Sequence, residues 1–188
     1  KLAMFGLAIV AALILVAIIG PLIVQDPTAL GKTSKAPPSL NHPFGTDDLG
    51  RDTMTRAMYG GRVSLGIGFL VSLISVAMGV TVGSLSGYLG GWWDNVIMRI
   101  NDVENTLPDL PILMILSKIF PPGFWTMCVI LVALSAFRGV RIARAMTLSL
   151  KKQAFSEAAQ SLGANWRRLI VRHILPNSLS PLFVTVTL

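Results

Sequence analysis

The chain has 188 residues, of which 53% are hydrophobic and 13% charged, with a mean hydropathy of +0.67; soluble domains carry about a quarter charged residues, so an ordinary soluble domain is excluded. The net charge of +7 does not point to nucleic acid. Arg138, Arg141, Arg144, Lys151, Lys152, Arg167, Arg168 and Arg172 stand against the single acid Glu157 and supply the whole excess, which is the asymmetry of a cytoplasmic loop between membrane helices.

Leu2–Val24 is the first expected crossing. It is longer than a signal-peptide h-region and no small-residue cleavage site follows, so it reads as a retained anchor with Lys1 inside. A polar connection containing Pro37-Pro38 then runs to Arg62 on the outside. Gly31-Lys32-Thr33 has the tail of a phosphate-binding loop, but Asp26 stands where that pattern needs Gly, so no nucleotide site is expected. His42, Asp47 and Asp48 lack a second His and a converging spacing, so no metal centre is expected either. Thr46 reads as a helix N-cap with Asp47 and Asp48 in the first turn, and Asp47–Arg51 and Asp52–Arg56 as i,i+4 ion pairs of a short exterior helix. The second crossing is expected from Val63 to about Leu89 without a charge. Along it Gly79, Gly83 and Gly87, extended by Ser72 and Ser75, form a small-residue face on which another helix can pack closely, the alternative being a flexible or kinked helix.

Two apolar runs follow, Leu107–Phe120 and Phe124–Phe137, divided by Pro121-Pro122-Gly123. Each is too short to span alone, so the pair is either a re-entrant hairpin or two full crossings extended by flanking helix, and the second is favoured here. Both return the chain to the cytoplasm at Arg138. On the third helix Asp94, Asn101, Asp102, Asn105 and Asp109 share one face, which lines a solute path, meets a partner subunit or lies below the membrane. Cys128 is alone in an apolar run and reads as packing. A hydrolytic pair of Asp102 and Asp109 would need close range inside the membrane, and His42 and His173 fall on opposite sides, so no catalytic residue is expected.

In the basic loop Phe155, Ala158, Ala159 and Leu162 form a small and apolar helical face that ends at Gly163. Trp166, Leu169 and Ile170 pattern a second short helix with Arg167, Arg168 and Arg172 on its polar side, and Pro176 opens a further crossing. Such a helix-turn-helix suits docking into a groove of another protein; the competing reading is an amphipathic helix on anionic lipid. The chain opens on Lys1 and closes within the apolar run Leu179–Leu188, so both ends read as cut and a fifth crossing is expected to continue past Leu188.

Glu157-Ala158-Ala159, Gly163 and Leu175-Pro176 resemble the EAA signature of bacterial ABC importer permeases. His42-Pro43-Phe44-Gly45-Thr46-Asp47-Asp48-Leu49-Gly50-Arg51-Asp52 with Arg56, Tyr59-Gly60 and Arg62 is similar to the dipeptide, oligopeptide and nickel subfamily. So are Gly87-Tyr88, Gly90-Gly91, Asp94, Met98-Arg99, Asp102, Pro108 and Arg172-His173-Ile174-Leu175-Pro176-Asn177. The chain departs from that pattern at Ala136 and Phe137, where the subfamily has Trp and then Ala-Arg, and at Glu104 and Asn105, which are unusually polar; His173, where the general motif has Ile, matches the peptide subfamily.

The resemblance implies an all-α polytopic membrane protein with the type I ABC importer permease fold, truncated in the fifth transmembrane helix. Its parts would be an N-terminal helix (1–25), a periplasmic connection (26–62) and a transmembrane domain (63–188) whose coupling loop covers about 148–173. It further implies a peptide-translocating subunit of the bacterial plasma (inner) membrane, with no enzymatic activity and no cofactor. Expected partners are two ATP-binding subunits, a second permease meeting the glycine face, an extracytoplasmic solute-binding protein near His42–Arg62, and lipid, with no nucleic acid. Glu157 would orient the docking contact, Ala158 and Ala159 form its surface and Gly163 its turn; Asp102, Asn105 and Asp109 are the candidate path residues. Dipeptide, oligopeptide, nickel and glutathione-like cargo all stay open, and the rival is an ATP-independent scaffold or channel subunit with a lipid-binding cytoplasmic helix.

Overall fold

A computed structural model of the chain describes residues 2–24, 26–31 and 33–176, apart from the side chain of His173. The regular structure of the described residues is helical: α1 (Leu2–Ile23), α2 (Thr53–Leu89), α3 (Gly91–Thr106), α4 (Asp109–Ile119), α5 (Phe124–Ser135), α6 (Arg138–Lys151), α7 (Ala154–Ser161) and α8 (Trp166–Leu169), which runs on into a π-helical turn, Ile170–Ile174. The chain divides into two compact units, Lys1–Phe69 and Leu70–Leu188, and α2 starts in the first and ends in the second.

In the first unit α1 is apolar on every side, as befits a membrane-crossing helix, and buries Ala17, Gly20 and Pro21 near its end. The side chain of Met58 sits against Gly20, where a Cβ would come within 2.8 Å of its sulfur. Tyr59 donates its hydroxyl to the Pro21 carbonyl at 3.2 Å. The connection is ordered by polar contacts: Thr46 Oγ1 accepts from the Ala36 amide and donates to the Thr33 carbonyl, both at 2.8 Å, and Thr46 bridges Asp52 in an isolated antiparallel pair. Thr46 is therefore no helix cap and no separate exterior helix forms. Asp52 caps α2 instead, accepting from the Thr55 amide at 2.9 Å and its hydroxyl at 2.6 Å, so α2 begins ten residues before the expected Val63. The expected Asp52–Arg56 pair is replaced by Arg56–Asp47, because the cap takes up Asp52.

Asp47 is the hub of this connection. It accepts from the amides of Leu49 and Arg51, at 2.9 and 3.0 Å, and from the Arg51 guanidinium at 2.8 Å. Desolvation pushes its carboxyl up, but the Arg51 and Leu49 amides and the Arg51 charge outweigh it and lower the pKa to about 2. A depressed folded-state pKa contributes stability that is complete above the ordinary carboxylate value of about 3.9 and is lost as pH falls through about 2. Protection of the Leu49 and Arg51 amides from hydrogen exchange is expected to persist to pH 3 in the native chain and to be lost at neutral pH in Asp47→Ala. Equal protection in both would remove Asp47 as the hub.

The second unit breaks where the sequence demands. Gly90 separates α2 from α3, and it and Gly91, the first residue of α3, both have positive φ. Pro108 then pushes Leu107 to extended backbone (φ −77°, ψ 133°), which divides the expected third crossing into α3 and α4. As a result Asp109 opens α4 and does not continue the stripe of α3. The 11 residues of α4 reach about 16 Å, half of a bilayer core of about 30 Å. α1 and α2 are each long and apolar enough to cross, and α5 with α6, bent by 43° at their junction, gives a third candidate if the pair is one span. Two full crossings are expected here, one reaching back toward Val96 and the other forward past Arg138; the structure gives a short α4 separated from α3 by Pro108, and the bent α5–α6 pair that runs past Arg138. The fifth crossing and the Leu179–Leu188 run, beyond Pro176, lie outside the described residues.

The core of this unit lies where α2 meets α6. A Cβ at Gly79 would come within 3.1 Å of Gly139 Cα, at Gly83 within 2.4 Å of the Val140 carbonyl oxygen, and at Gly87 within 2.8 Å of the Arg144 carbonyl oxygen. Only glycine lets the two backbones approach this closely. The face expected to receive a partner permease is covered at these positions by α6 of the same chain. Val80 and Ala143 are buried beside it, and Ser75 and Ser135 share a hydrogen bond of 2.8 Å.

Candidate functional site: a paired polar stripe and a docking helix

Charged groups inside a membrane protein are costly unless paired, so the stripe on α3 needs partners. α6 supplies them. Arg144 grips Asp94 with a two-pronged contact, Nε to Oδ1 at 2.5 Å and Nη2 to Oδ2 at 2.6 Å, and Ser86 of α2 donates to the same carboxylate. Arg141 reaches Asp102 at 2.5 Å and the Asn101 side-chain oxygen at 3.2 Å. Arg138 pairs with Asp109. The pairs 94–144, 102–141 and 109–138 are nested like the rungs of a hairpin, as antiparallel packing of α6 along α3 and the start of α4 requires.

Asn101 is fully buried and donates to the Phe137 carbonyl at the α5–α6 bend, while Asn105 donates to the Asn101 carbonyl at 2.6 Å. The Asn101 amide thus holds the bend against α3, and Asn105 braces Asn101 from within the same helix. Of the candidate path residues, Asp102 and Asp109 are each neutralised by an arginine and Asn105 is tied to its own helix. Arg138, Arg141 and Arg144, counted as loop charges from sequence, are structural members of this stripe. The acids seven and eight residues apart and the arginines three apart are visible in the sequence, but which acid meets which arginine depends on a tertiary fold-back that no local spacing encodes. Glu104 differs from its neighbours: both carboxylate oxygens are buried and no well-formed hydrogen bond reaches them among the described residues, although the Phe137 amide and the Arg138 charge lie close enough to act on them.

The second part of the site is the turn carried by α6. Lys151, at its end, donates to the Tyr88 carbonyl at 2.9 Å and lies 4.7 Å from the Tyr88 ring centre. Ser156 is buried and its hydroxyl donates to the Leu150 carbonyl at 2.8 Å, fixing α7 to the end of α6. Gly163 then turns the chain with φ +82°, a conformation that L side chains rarely adopt. Asn165 caps α8 by accepting from the Arg168 amide at 2.9 Å. Leu169, Ile170 and Ile174 are buried together against Leu85, Tyr88, Leu150 and Ala159. Ala159 therefore lies on the inner side of α7 and half-buried, whereas Glu157, Ala158 and Leu162 are exposed. The outward surface of the turn is narrower than the face expected from the periodicity, because Ala159 packs on the chain itself.

Residues 79–188 match the family described as "Binding-protein-dependent transport system inner membrane component", and residues 1–38 match the "N-terminal TM domain of oligopeptide transport permease C". Similar proteins include the oligopeptide transport system permease protein OppC of Bacillus subtilis, 39% identical over 100% of this chain and 62% of its own length. The dipeptide transport system permease proteins DppC of Bacillus subtilis and of Alkalihalophilus pseudofirmus are 38% and 37% identical, again over 100% of this chain and over 59% and 62% of theirs. The chain thus spans about three-fifths of the length of these curated relatives. With its lipid-facing helices, glycine-seated α6 and helix-turn-helix after it, the chain is a multi-pass protein of the bacterial plasma membrane and belongs to the binding-protein-dependent transport system inner membrane components.

Proposed function

We propose that the chain is the membrane-spanning part of an ATP-driven importer of di- or oligopeptides, coupled through α7 to separate ATP-binding subunits, and that it performs no chemistry itself. The observation that carries this reading is the pairing of an exposed Glu157-Ala158 surface with a rigid seat: α7 is fixed to α6 by Ser156, and α8 to the end of α2 by Leu169. A force applied to that surface is passed to the helices that hold the polar stripe. The named functions of the OppC and DppC relatives support peptides as cargo. On this reading, ATP binding moves the groove that holds Glu157, and the crossings alternate between inward and outward access because the groove binds one arrangement better than the other. A second permease, a solute-binding protein meeting the exterior connection and surrounding lipid complete the assembly, and Asp102, Asn105 and Asp109 border the path.

A cysteine at the exposed Ala158 is expected to crosslink to co-expressed ATP-binding subunits in membranes, with a yield that changes on adding ATP. Gly163→Pro, which cannot adopt positive φ, should abolish it. An assembled complex without any crosslink would favour the lipid-bound helix of the scaffold reading, and a crosslink unchanged by Gly163→Pro would remove the turn from the coupling.

A further inference from the structure

α8 and the π-helical turn after it have one buried side and one exposed, basic side. Leu169, Ile170 and Ile174 are buried against the end of α2, whereas Arg167, Arg168, Val171 and Arg172 are exposed. None of these three guanidinium groups has an acidic partner among the described residues, and Glu157 is the only acid between Asp109 and Leu188. In this they differ from Arg138, Arg141 and Arg144 of α6, each of which meets an aspartate. Arg168 and Arg172, four residues apart, stand one above the other about one helical turn apart. Arg167 lies 5.1 Å from the ring centre of Trp166, which is itself exposed. Trp92 and Trp93, exposed as well, begin α3 at the same end of α2, so aromatic rings mark this level as a membrane–water interface.

We infer that Arg168 and Arg172, with Arg167 and Trp166 beside them, hold the phosphate of an anionic phospholipid headgroup of the cytoplasmic leaflet, and so set the height of the docking turn against the membrane. Charge complementarity selects this occupant. Unpaired guanidinium groups bind phosphate oxygens through parallel N–H···O contacts, whereas a protein groove that receives Glu157 carries positive charge of its own and repels them. Height agrees with charge. Arg172 and Arg168 stand four and eight residues before Pro176, where the next crossing is expected to open, which places them about 6 and 12 Å of helical rise from the hydrocarbon. The headgroup layer is itself about 6 Å deep, and long arginine stems reach up into it. The two readings of the basic loop thus divide at Gly163: α7 presents Glu157 and Ala158 to protein, and α8 presents its arginines to lipid. The inference goes beyond the importer reading and holds whatever cargo is moved.

The test is native mass spectrometry of the permease assembled with its partner subunits, titrated with phosphatidylglycerol and phosphatidylcholine of equal chain length. The complex is expected to retain phosphatidylglycerol in preference to phosphatidylcholine. Arg168→Gln combined with Arg172→Gln should weaken phosphatidylglycerol binding about thirtyfold, since each basic residue near an anionic surface is worth about fivefold. Arg168→Lys with Arg172→Lys keeps the charges without the fork and should lose less. Arg62→Gln, an exposed arginine near the start of α2, serves as the control for net charge and should leave binding unchanged. The substituted side chains are exposed, so unfolding midpoints should stay within a few degrees of the unmodified complex and show that the variants fold. Undiminished phosphatidylglycerol binding by the folded double Gln variant, or equal weakening by Arg62→Gln, would overturn the assignment. Full competition by inorganic phosphate would also overturn it, by marking a free-ion site. So would an unchanged lipid preference together with loss of the ATP-binding subunits from the complex, which would give this surface to protein.

Discussion

Gly83→Ala is expected to destabilise the second unit more than any other single methyl addition on the α2 face. The new Cβ would lie 2.4 Å from the Val140 carbonyl oxygen and 2.7 Å from Ala143 Cβ. The nearest atom belongs to backbone inside a packed helix, so no rotamer change relieves the contact and α6 must move outward. Overpacking of this kind costs about 1–3 kcal/mol and occasionally more, which for a chain of this size is about 5 °C in Tm. Gly87→Ala should follow, with its nearest atom at 2.8 Å, and Gly79→Ala should be mildest at 3.1 Å. Because α6 carries α7, the proposed importer function predicts the same order in the loss of ATP-dependent transport. Unfolding midpoints of the three variants in nanodiscs check the series. Three equal midpoints, or an unchanged Gly83→Ala, would mean that another surface of α2 receives α6.

The glycine face shows how far the sequence reaches. Gly79, Gly83 and Gly87 announce that a helix packs there, since small residues four apart serve little else in lipid, but they cannot say which helix. The candidate that the resemblance offered was a partner subunit; the structure seats α6, whose own Gly139 and Ala143 form the complementary surface. The breaks were legible in a similar, partial way. Pro121-Pro122-Gly123 ends α4 and Gly163 ends the docking segment, as local chemistry dictates. The consequence of Pro108 is less evident, because a proline is tolerated in many membrane helices when neighbours satisfy the freed carbonyls. At the exterior connection the i,i+4 spacing of Asp47 and Arg51 leads to a real ion pair but the wrong secondary structure, since the two also meet across a tight turn stabilised by their own backbone amides. For the docking surface, Ala158 and Ala159 are indistinguishable in the sequence and diverge only once Leu169 and Ile170 fold back against one of them.

The three rungs between α6 and the α3–α4 segment differ in what breaking them costs, and the difference follows from exposure. In the Arg144–Asp94 pair the side chains are 31% and 13% exposed, against 58% and 42% in Arg138–Asp109. Asp94→Ala is expected to destabilise by about 3 kcal/mol, because it leaves the Arg144 guanidinium desolvated without its carboxylate and removes the acceptor of Ser86. Asp109→Ala should cost about 1 kcal/mol or less, the value of a solvent-screened pair. Adding Arg144→Ala to Asp94→Ala should recover part of the loss, since the penalty lies in the stranded charge more than in the missing attraction. A double-mutant cycle on Tm in nanodiscs, run for both pairs, reads this directly. If the Asp94 and Asp109 variants behave alike, the fork at Asp94 carries no special weight. A larger effect at Asp94, relieved by the second mutation, would make this rung the one that fixes α6, and with it the docking turn, to the helix that bears the polar stripe.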